Sequence, residues 1–165
     1  MNLRGGGRLL TATQVARMCG VDVKTIHNWV GKGRIRGHRT GGRHLRFWPL
    51  DVVDFLRAWE LGVPESLRSA RLRVLVLDGD AAILAACKRA LSRRFELTTA
   101  DDVVEAIVAV ATLRPDVLVV GDASPLGLDH LARQLGSIET TRHVRVVPRG
   151  DVAKLRESVE RLQGG

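Results

Sequence analysis

The sequence predicts an α/β protein of two domains, and three observations lead to this prediction. Two short helical patterns, a tight turn and a glycine-rich basic hairpin occupy residues 9–56. From residue 72 onward, apolar strand patterns alternate with helical ones, which is typical of a parallel sheet covered by helices on both faces. Charge is also unevenly divided, because residues 1–60 hold 11 Lys/Arg against 4 Asp/Glu, whereas residues 61–165 hold 15 against 14. The net charge of +8 therefore belongs almost wholly to the first domain.

A helix and a tight turn open the first domain. Thr11 and Gln14 have the spacing of a capping box, in which each side chain bonds the backbone of the other residue. Val15 and Ala16 would face inward on the helix that follows. Gly20 then supplies the backbone freedom that a sharp reversal of the chain requires.

The second helix would present a polar face to its surroundings. Asp22 can cap this helix, and Ile26, Trp29 and Val30 share one apolar face at helical spacing. The residues left facing outward are Lys24, Thr25, His27 and Asn28. A short helix with such a polar and basic face is suited to the major groove of DNA.

A basic hairpin, or wing, follows the two helices. Segments 35–39 and 43–47 are separated by Thr40-Gly41-Gly42, which indicates two strands joined by a tight turn. Four arginines lie on this hairpin: Arg36, Arg39, Arg43 and Arg46. The position of the hairpin directly after a helix-turn-helix pattern favours contact with phosphates or the minor groove over an ordinary solvated surface. A last helix at 49–59 would close the domain, with Pro49 in its first turn.

This first stretch resembles the winged-helix domain of the MerR superfamily, most closely its excisionase-like, BldC-like branch, over about the first 60 residues. The matching residues are Leu10-Thr11, Val15-Ala16, Cys19-Gly20-Val21, Lys24-Thr25-Ile26, Trp29, Gly33-Arg34-Ile35, Arg39-Thr40-Gly41-Gly42-Arg43-His44, Arg46-Phe47, Asp51-Val52 and Phe55-Leu56. The resemblance implies double-stranded DNA as the partner. It places Lys24, Thr25, His27 and Asn28 near bases or phosphates, and assigns the DNA backbone to Arg43, His44 and Arg46. The long coiled coil and effector pocket of many MerR proteins have no counterpart, so metal or drug sensing is not implied.

Composition narrows the remaining possibilities. Five of the six aromatic residues precede residue 61, and we expect them to form core rather than stacking platforms for bases: Trp29, Phe47, Trp48, Phe55 and Trp59. Cys19 and Cys87 suit neither a disulfide framework nor a metal site, and we expect both to be small buried residues. His27, His38 and His44 lack the partners of a zinc site. No apolar run reaches the length of a membrane span, so we expect a cytoplasmic, nucleoid-associated protein with no membrane partner.

The second domain is predicted over residues 72–165, after a linker at 61–71. Apolar runs predict strands at 72–77, 95–99, 117–120 and 144–147. Helical spacing predicts helices at 81–91, 103–113, 128–135 and 152–162. The expected architecture is a shortened flavodoxin-like parallel sheet with helices on both faces, with any site at the carboxyl ends of the strands.

Acidic residues follow two of these strands. Asp78, Asp80 and Asp122 could surround a Mg²⁺ ion there. A simpler interpretation is that Asp78, Asp80 and Asp101 cap the neighbouring helices, and we favour it, so that neither a cofactor nor a metal is expected. We likewise expect no catalytic residues, because no nucleophile, base and orienting group occur together, and hence no enzyme.

The second domain resembles the receiver domain of bacterial response regulators. The resemblance rests on Val74-Leu75-Val76-Leu77-Asp78-Gly79-Asp80, Phe95-Glu96-Leu97-Thr98-Thr99-Ala100-Asp101-Asp102 and Arg114-Pro115-Asp116-Val117-Leu118-Val119-Val120. Receivers carry adjacent acids after the first strand, where this chain has Gly79. Counting from Pro115 places the phosphoacceptor position on Gly121, so that Asp122 comes one residue late and its side chain would point the other way. The switch Thr/Ser and the lysine of receivers have no clear counterpart, and one helix-strand unit is missing.

We therefore expect a sequence-preferring DNA-binding protein, most simply a bacterial transcriptional regulator. Its degenerate receiver-like domain would remain unphosphorylated and would dimerise or recruit a partner protein, because a single small winged module binds DNA weakly. Three alternatives stay open at this point. They are an architectural, excisionase-like recombination factor, a regulator phosphorylated on Asp122, and an adaptor that binds protein through the winged fold.

Overall fold

The chain separates into two compact units, which we describe one at a time. In this computed structural model, the structure describes residues 9–121 and 127–164. The first unit comprises the described residues 9–70 together with 161–164, and the second comprises 71–160. None of the helices in the described residues is both long enough and apolar enough to cross a bilayer.

The first unit combines a helix-turn-helix with a small antiparallel sheet. Its elements are β1 (Leu10–Thr11), α1 (Ala12–Cys19), α2 (Val23–Gly31), β2 (His38–Arg39), β3 (Leu45–Phe47), α3 (Pro49–Ala58) and α4 (Glu65–Arg68). The sheet order is β1-β3-β2, with Leu10 opposite Phe47 and His38 opposite Arg46. The hairpin strands are shorter than the predicted 35–39 and 43–47. The two-residue strand β1, which the sequence pattern did not predict, completes the sheet on the other side of β3.

The predicted helix signals form as expected in the first unit. The Thr11 Oγ1 accepts a hydrogen bond from the Gln14 N–H at 3.2 Å, and the Gln14 Oε1 accepts one from the Thr11 N–H at 2.8 Å. Gly20 ends α1 at a φ of 68°, the left-handed conformation that favours glycine. Asp22 caps α2 by accepting a hydrogen bond from the Thr25 N–H at 2.8 Å. These local bonds satisfy helix-end groups that would otherwise lack partners.

Buried apolar residues from every part of the first unit meet in one core. Val15 of α1, Ile26 of α2, Phe47 of β3 and Leu56 of α3 are fully buried. In β3, Leu45 and Phe47 point into this core while Arg46 lies between them on the other face. The wing is therefore anchored to the helices through alternate residues of one strand.

One of the five predicted core aromatics lies at the surface. Trp59 is 46% exposed, so the prediction that it belongs to the core is wrong. The residue follows the last residue of α3, and its ring stacks against Trp29 with the ring centroids 5.8 Å apart. The Arg34 guanidinium lies 5.5 Å from the centre of the Trp59 ring, over its face. The ring therefore forms an edge of the core and a platform for a cation.

The stretch predicted as a linker, 61–71, contains the short helix α4. Leu67 of this helix is buried in the core of the first unit. The Gln163 side-chain amide donates hydrogen bonds to the carbonyl oxygens of Leu67, at 3.0 Å, and Ala70, at 2.6 Å. Buried contacts thus join residues 63–70 and the described end of the chain to the first unit, which composition alone did not indicate.

The second unit is a parallel sheet with helices on both faces, as predicted. Its elements are β4 (Arg73–Leu77), α5 (Ala81–Leu91), β5 (Glu96–Ala100), α6 (Val103–Leu113), β6 (Val117–Val120), α7 (Leu128–Ser137), β7 (Arg145–Pro148) and α8 (Val152–Leu162), of which residues 152–160 belong to this unit. The strand order is β5-β4-β6-β7, all parallel. This is the flavodoxin-like order 2-1-3-4-5 without its last strand. The prediction of a shortened flavodoxin-like sheet is confirmed.

The two faces of this sheet are covered by different helices. Leu75, Leu77 and Leu118 pack in one cluster with Ala106 of α6 and Leu131 of α7. Alternate strand residues point to the opposite face, which leaves α5 and α8 to cover that side. The two central strands, β4 and β6, are buried on both faces, and this explains their nearly continuous apolar runs, whereas the edge strands β5 and β7 are partly exposed.

Of the helix caps predicted at Asp80 and Asp101 in the second unit, one forms as expected, and the other is formed by the next residue along the chain. Asp80 caps α5 as expected, but Asp102 rather than Asp101 caps α6 by accepting a hydrogen bond from the Glu105 N–H at 2.8 Å. Cys87 is buried and Cys19 half-buried, and both are free thiols. Burial raises the pKa of both thiols, which is expected of structural rather than reactive cysteines.

We predict that Gly37→Ala destabilises the wing by about 1–3 kcal/mol because the hairpin core has no space for another methyl group. An added Cβ would lie 2.9 Å from the Leu45 Cδ1 and 3.0 Å from the Phe47 Cε1. Gly41→Ala, in the same hairpin, meets nothing within 4 Å and serves as the control. Chemical denaturation followed by circular dichroism measures both variants, and equal midpoints would contradict the prediction.

Candidate nucleic-acid interface

Helix α2 has one side committed to the core and one side available to a partner. Ile26 is fully buried, whereas Lys24, His27 and Asn28 are exposed, as the helical spacing predicted. Thr25 is half-buried, and its hydroxyl donates a hydrogen bond to the Asp22 Oδ2 at 3.2 Å. The outward face of α2 therefore offers an ammonium group, an imidazole and an amide, while Thr25 is largely engaged in the helix cap.

The cap itself is charged. The Thr25 backbone N–H holds the pKa of the Asp22 carboxyl below its ordinary value, with smaller contributions from the Thr25 hydroxyl and from Lys24. The cap therefore stays ionised at neutral pH. Because the folded-state pKa is lowered, the stabilisation that it provides is present above the ordinary aspartate pKa and is lost as the pH falls through the folded value.

The wing carries the second set of candidate residues. Four of them are exposed and Arg46 is half-buried; the exposed four are Arg36, Arg39, Arg43 and His44. The Arg46 Nη1 donates a hydrogen bond to the Leu45 carbonyl oxygen at 3.0 Å. Since β3 directs Leu45 and Phe47 inward, Arg46 lies on the outer face of this strand.

Local bonds fix the shape of the hairpin turn. The Thr40 N–H donates to the His44 carbonyl oxygen at 3.0 Å, and the Arg43 N–H donates to the Thr40 carbonyl oxygen at 2.7 Å. Arg43 has a φ of 60°, and the Arg39 Nη1 donates to the Arg43 carbonyl oxygen at 3.0 Å. The turn is thus tied by the side chain of one candidate residue to the backbone of another, so that the cations are held on an ordered loop.

One feature next to the wing was not predicted from the sequence. The His38 imidazole stacks on the Trp48 ring, with centroids 5.9 Å apart and an interplanar angle of 26°. Both residues are half-buried. The contact arises because His38 lies opposite Arg46 in the hairpin register. Arg46 in turn precedes Trp48 by two residues. Because strand residues alternate between the two faces, His38 and Trp48 lie on the same side of the sheet. This alternation is the sequence feature from which the contact could have been predicted.

In the second unit, three residues follow neighbouring strands at the carboxyl edge of the sheet. Each of these residues continues the hydrogen bonding between its strand and the neighbouring strand by one residue. The Asp78 N–H donates to the Ala100 carbonyl oxygen, the Gly121 N–H to that of Leu77 and the Arg149 N–H to that of Val120. Asp78, Gly121 and Arg149 therefore end the strands β4, β6 and β7, with Gly121 on the middle one.

A buried ion pair occupies this edge. The Asp78 Oδ2 lies 3.1 Å from the Arg149 Nε, and the Asp78 Oδ1 accepts a hydrogen bond from the Asp80 N–H at 3.0 Å. Asp78 is buried and its carboxylate lies against Gly121, where an added Cβ would be 2.7 Å from the Asp78 Cγ. The pair therefore crosses the end of β6, and it requires that residue 121 carry no side chain.

These contacts answer the predictions for the acidic loops. Asp78 caps no helix, contrary to that expectation, and its carboxylate is neutralised by Arg149. Asp80 caps α5 by accepting hydrogen bonds from Ala82 and Ile83. Asp122 lies outside the described residues. Within 9–121 and 127–164, no group of three metal-ligating side chains occurs.

Arg149 is the residue that sequence analysis missed. Its role depends on the strand order, which brings β7 within reach of β4 across a glycine. The available signal was a single arginine directly after the last strand, at the edge where Asp78 also lies.

The fold and these sites define a helix-turn-helix domain with a wing. The same chain contains a flavodoxin-like domain with an ion pair at the carboxyl edge of its sheet. Residues 9–59 match a family model described as a helix-turn-helix domain. No curated protein matches the chain.

Solved structures similar to this chain include three bacterial response regulators. The chemotaxis response regulator CheY4 of Vibrio cholerae is 18% identical, with a TM-score of 0.42 over 48% of this chain and 68% of that one. The signal receiver domain of a response regulator from Bermanella marisrubri is 28% identical, with a TM-score of 0.42 over 55% and 78%. A response regulator receiver protein from Pseudomonas putida is 26% identical, with a TM-score of 0.39 over 58% and 81%.

We predict that Gly121→Ala lowers the free energy of unfolding by about 3 kcal/mol, because the new methyl group displaces the Asp78 carboxylate from Arg149. Gly79→Ala in the adjoining loop is the control, since its Cβ would meet only the Asp101 carbonyl oxygen at 3.8 Å. Urea denaturation measures both. A Gly121→Ala protein as stable as the control would show that the pair does not constrain residue 121.

Proposed function

We propose that this protein binds double-stranded DNA with a preference among sequences and acts as a transcriptional regulator. In this proposal the first unit is a winged helix-turn-helix of the MerR and excisionase-like type. The second unit is a pseudo-receiver, a receiver-like domain that is not phosphorylated, performs no catalysis, and joins two copies of the chain or recruits a partner protein.

The observation that carries the proposal is the division of α2 and the wing into a buried and a displayed side. Ile26 and Phe47 anchor the two elements, and both present cationic or hydrogen-bonding groups outward. An amide such as that of Asn28 can pair with the edge of a base, whereas exposed guanidinium groups such as that of Arg43 suit phosphates. The excess of Lys/Arg in residues 1–60 adds the long-range attraction that DNA binding requires.

The ion pair supports the assignment of the second unit as a pseudo-receiver. Phosphoryl transfer to a carboxylate needs an acidic side chain at the strand end and a metal ion to neutralise developing charge. At this edge residue 121 is a glycine, and the Asp78 carboxylate holds an arginine in place of a metal. A guanidinium in this position supplies the positive charge permanently, with no open coordination site.

The first test identifies the preferred DNA by sequencing genomic fragments captured with the full-length protein at two salt concentrations. We expect discrete fragments that share a short motif, together with a steep loss of the remaining DNA as salt rises. Recovery of DNA without any shared motif would indicate an architectural role. Failure to capture DNA at either salt concentration would contradict the proposal and favour a protein-binding adaptor.

On the captured motif, we predict different effects for the two sets of residues. Arg43→Ala should weaken binding to motif and random DNA alike and reduce the salt slope by about 1. Asn28→Ala and Lys24→Ala should each cost about 1–3 kcal/mol on the motif with little change on random DNA. Arg93→Ala removes the same charge from an exposed position of the second unit and is the control. Equal losses on motif and random DNA for Asn28→Ala and Lys24→Ala would contradict the division.

We also predict that the protein acquires no phosphoryl group from acetyl phosphate and Mg²⁺, as judged by intact mass. A receiver domain of established activity, treated in parallel, shows that the reagents work. A phosphoryl adduct that disappears in the Asp122→Asn variant would instead establish the regulator phosphorylated on Asp122.

A further inference from the structure

Helix α6 carries apolar residues on the side that faces away from the sheet. Val104, Ile107 and Val108 are 71%, 58% and 56% exposed, and the exposed Ala111 continues their spacing of three and four residues. The opposite side of the same helix packs on the sheet through buried residues, Ala106, Ala109 and Val110. The helix therefore has a second apolar stripe along its outer face, although a surface helix normally presents polar residues there. We call Val104, Ile107, Val108 and Ala111 the outer stripe.

The outer stripe leads into an apolar groove between α6 and α7. The groove has a volume of about 260 Å³, and its lining includes Ile107, Ala111, Leu131, Leu135 and Ile138. Ile138, at the end of α7, is 50% exposed. Two members of the outer stripe thus form one wall of a recess that could accept side chains from a facing element.

Along α6, charged side chains lie only near its two ends. The exposed acids Asp101 and Asp102 precede the helix and the exposed Glu105 lies in its first turn. The exposed Arg114 follows the helix, while residues 106–113 contain no charged side chain. From start to end the helix is acidic, then apolar, then basic. Such a pattern is complementary to its own copy laid antiparallel, because each acidic end then meets a basic one and the two helix dipoles oppose each other.

From this complementarity we propose that the outer stripe and groove form the interface between two copies of this chain, with α6 of each packed antiparallel on α6 of the other. A two-fold interface must be complementary to itself, and α6 meets that requirement in both apolar content and charge. The depletion of charge at the centre and its presence at the rim also match the usual composition of an interface. The inference rests on the proposed function, in which a second copy raises the affinity for DNA.

The direct test is sedimentation equilibrium of the full-length protein without DNA over a wide range of concentration. We expect a monomer–dimer equilibrium in which Val108→Glu raises the dissociation constant by at least about tenfold, because the carboxylate would be buried without a partner. Leu61→Glu places the same charge at an exposed apolar position in the first unit and should leave the equilibrium unchanged. Thermal melts establish that both variants remain folded.

A charge exchange tests the antiparallel arrangement itself. Asp101→Lys and Arg114→Glu should each weaken the dimer, whereas the double variant should recover much of the loss, since each pair again has opposite charges. Neither substitution favours the helix dipole, so recovery in the double variant reports the contact between copies.

A wild-type protein that remains monomeric at every concentration, or a dimer that Val108→Glu and the charge exchange leave unchanged, would overturn the interface. The capture of DNA is measured separately on the same samples. Salt-sensitive capture by a monomeric protein would leave the proposed function standing without this interface, and a dimer that captures no DNA would do the reverse.

Discussion

The ion pair between Asp78 and Arg149 sets the chemistry of the whole carboxyl edge of the parallel sheet. It joins the ends of β4 and β7 across the end of β6, and this is feasible because Gly121 has no side chain in the path. Breaking a buried pair by removing one partner costs about 3–5 kcal/mol, much more than the intact pair contributes, because a charge is left buried. Each of the three residues therefore restricts the other two, and a carboxylate at position 121 would compete with Asp78 for the same space.

In the helix-turn-helix, the polar side chains at the helix starts hydrogen-bond to nearby backbone groups. Thr11 and Gln14 bond each other's backbone, and the Asp22 carboxylate accepts a hydrogen bond from the Thr25 N–H. Lys24, His27 and Asn28 are not needed for these caps and stay exposed. The elements that hold the fold and those that can meet DNA thus occupy different faces of one nine-residue helix. This separation allows the displayed residues to vary without loss of the fold.

The elements of both units could be predicted because their patterns are strong. Strands buried on both faces leave continuous apolar runs such as Val117–Val120, and the caps leave polar residues at defined spacing. The predictions failed where a contact joins residues that are distant in the sequence, or where an element is too short to show a periodic pattern. A strand of two residues, Leu10–Thr11, shows no periodicity, and the surface position of Trp59 depends on where α3 ends. The role of Arg149 depends on strand order, which no local pattern contains.

The ion pair and the apolar face of α6 lead to one view of how the second unit would act in the proposed regulator. At the carboxyl edge of this sheet, the Asp78 carboxylate is already paired with the Arg149 guanidinium. In the proposed regulator, the second unit would influence DNA binding through the association of two copies. Two wings tethered in one particle bind adjacent sites at a high effective concentration, so that occupancy of DNA would follow the amount of protein rather than a signal at Asp122.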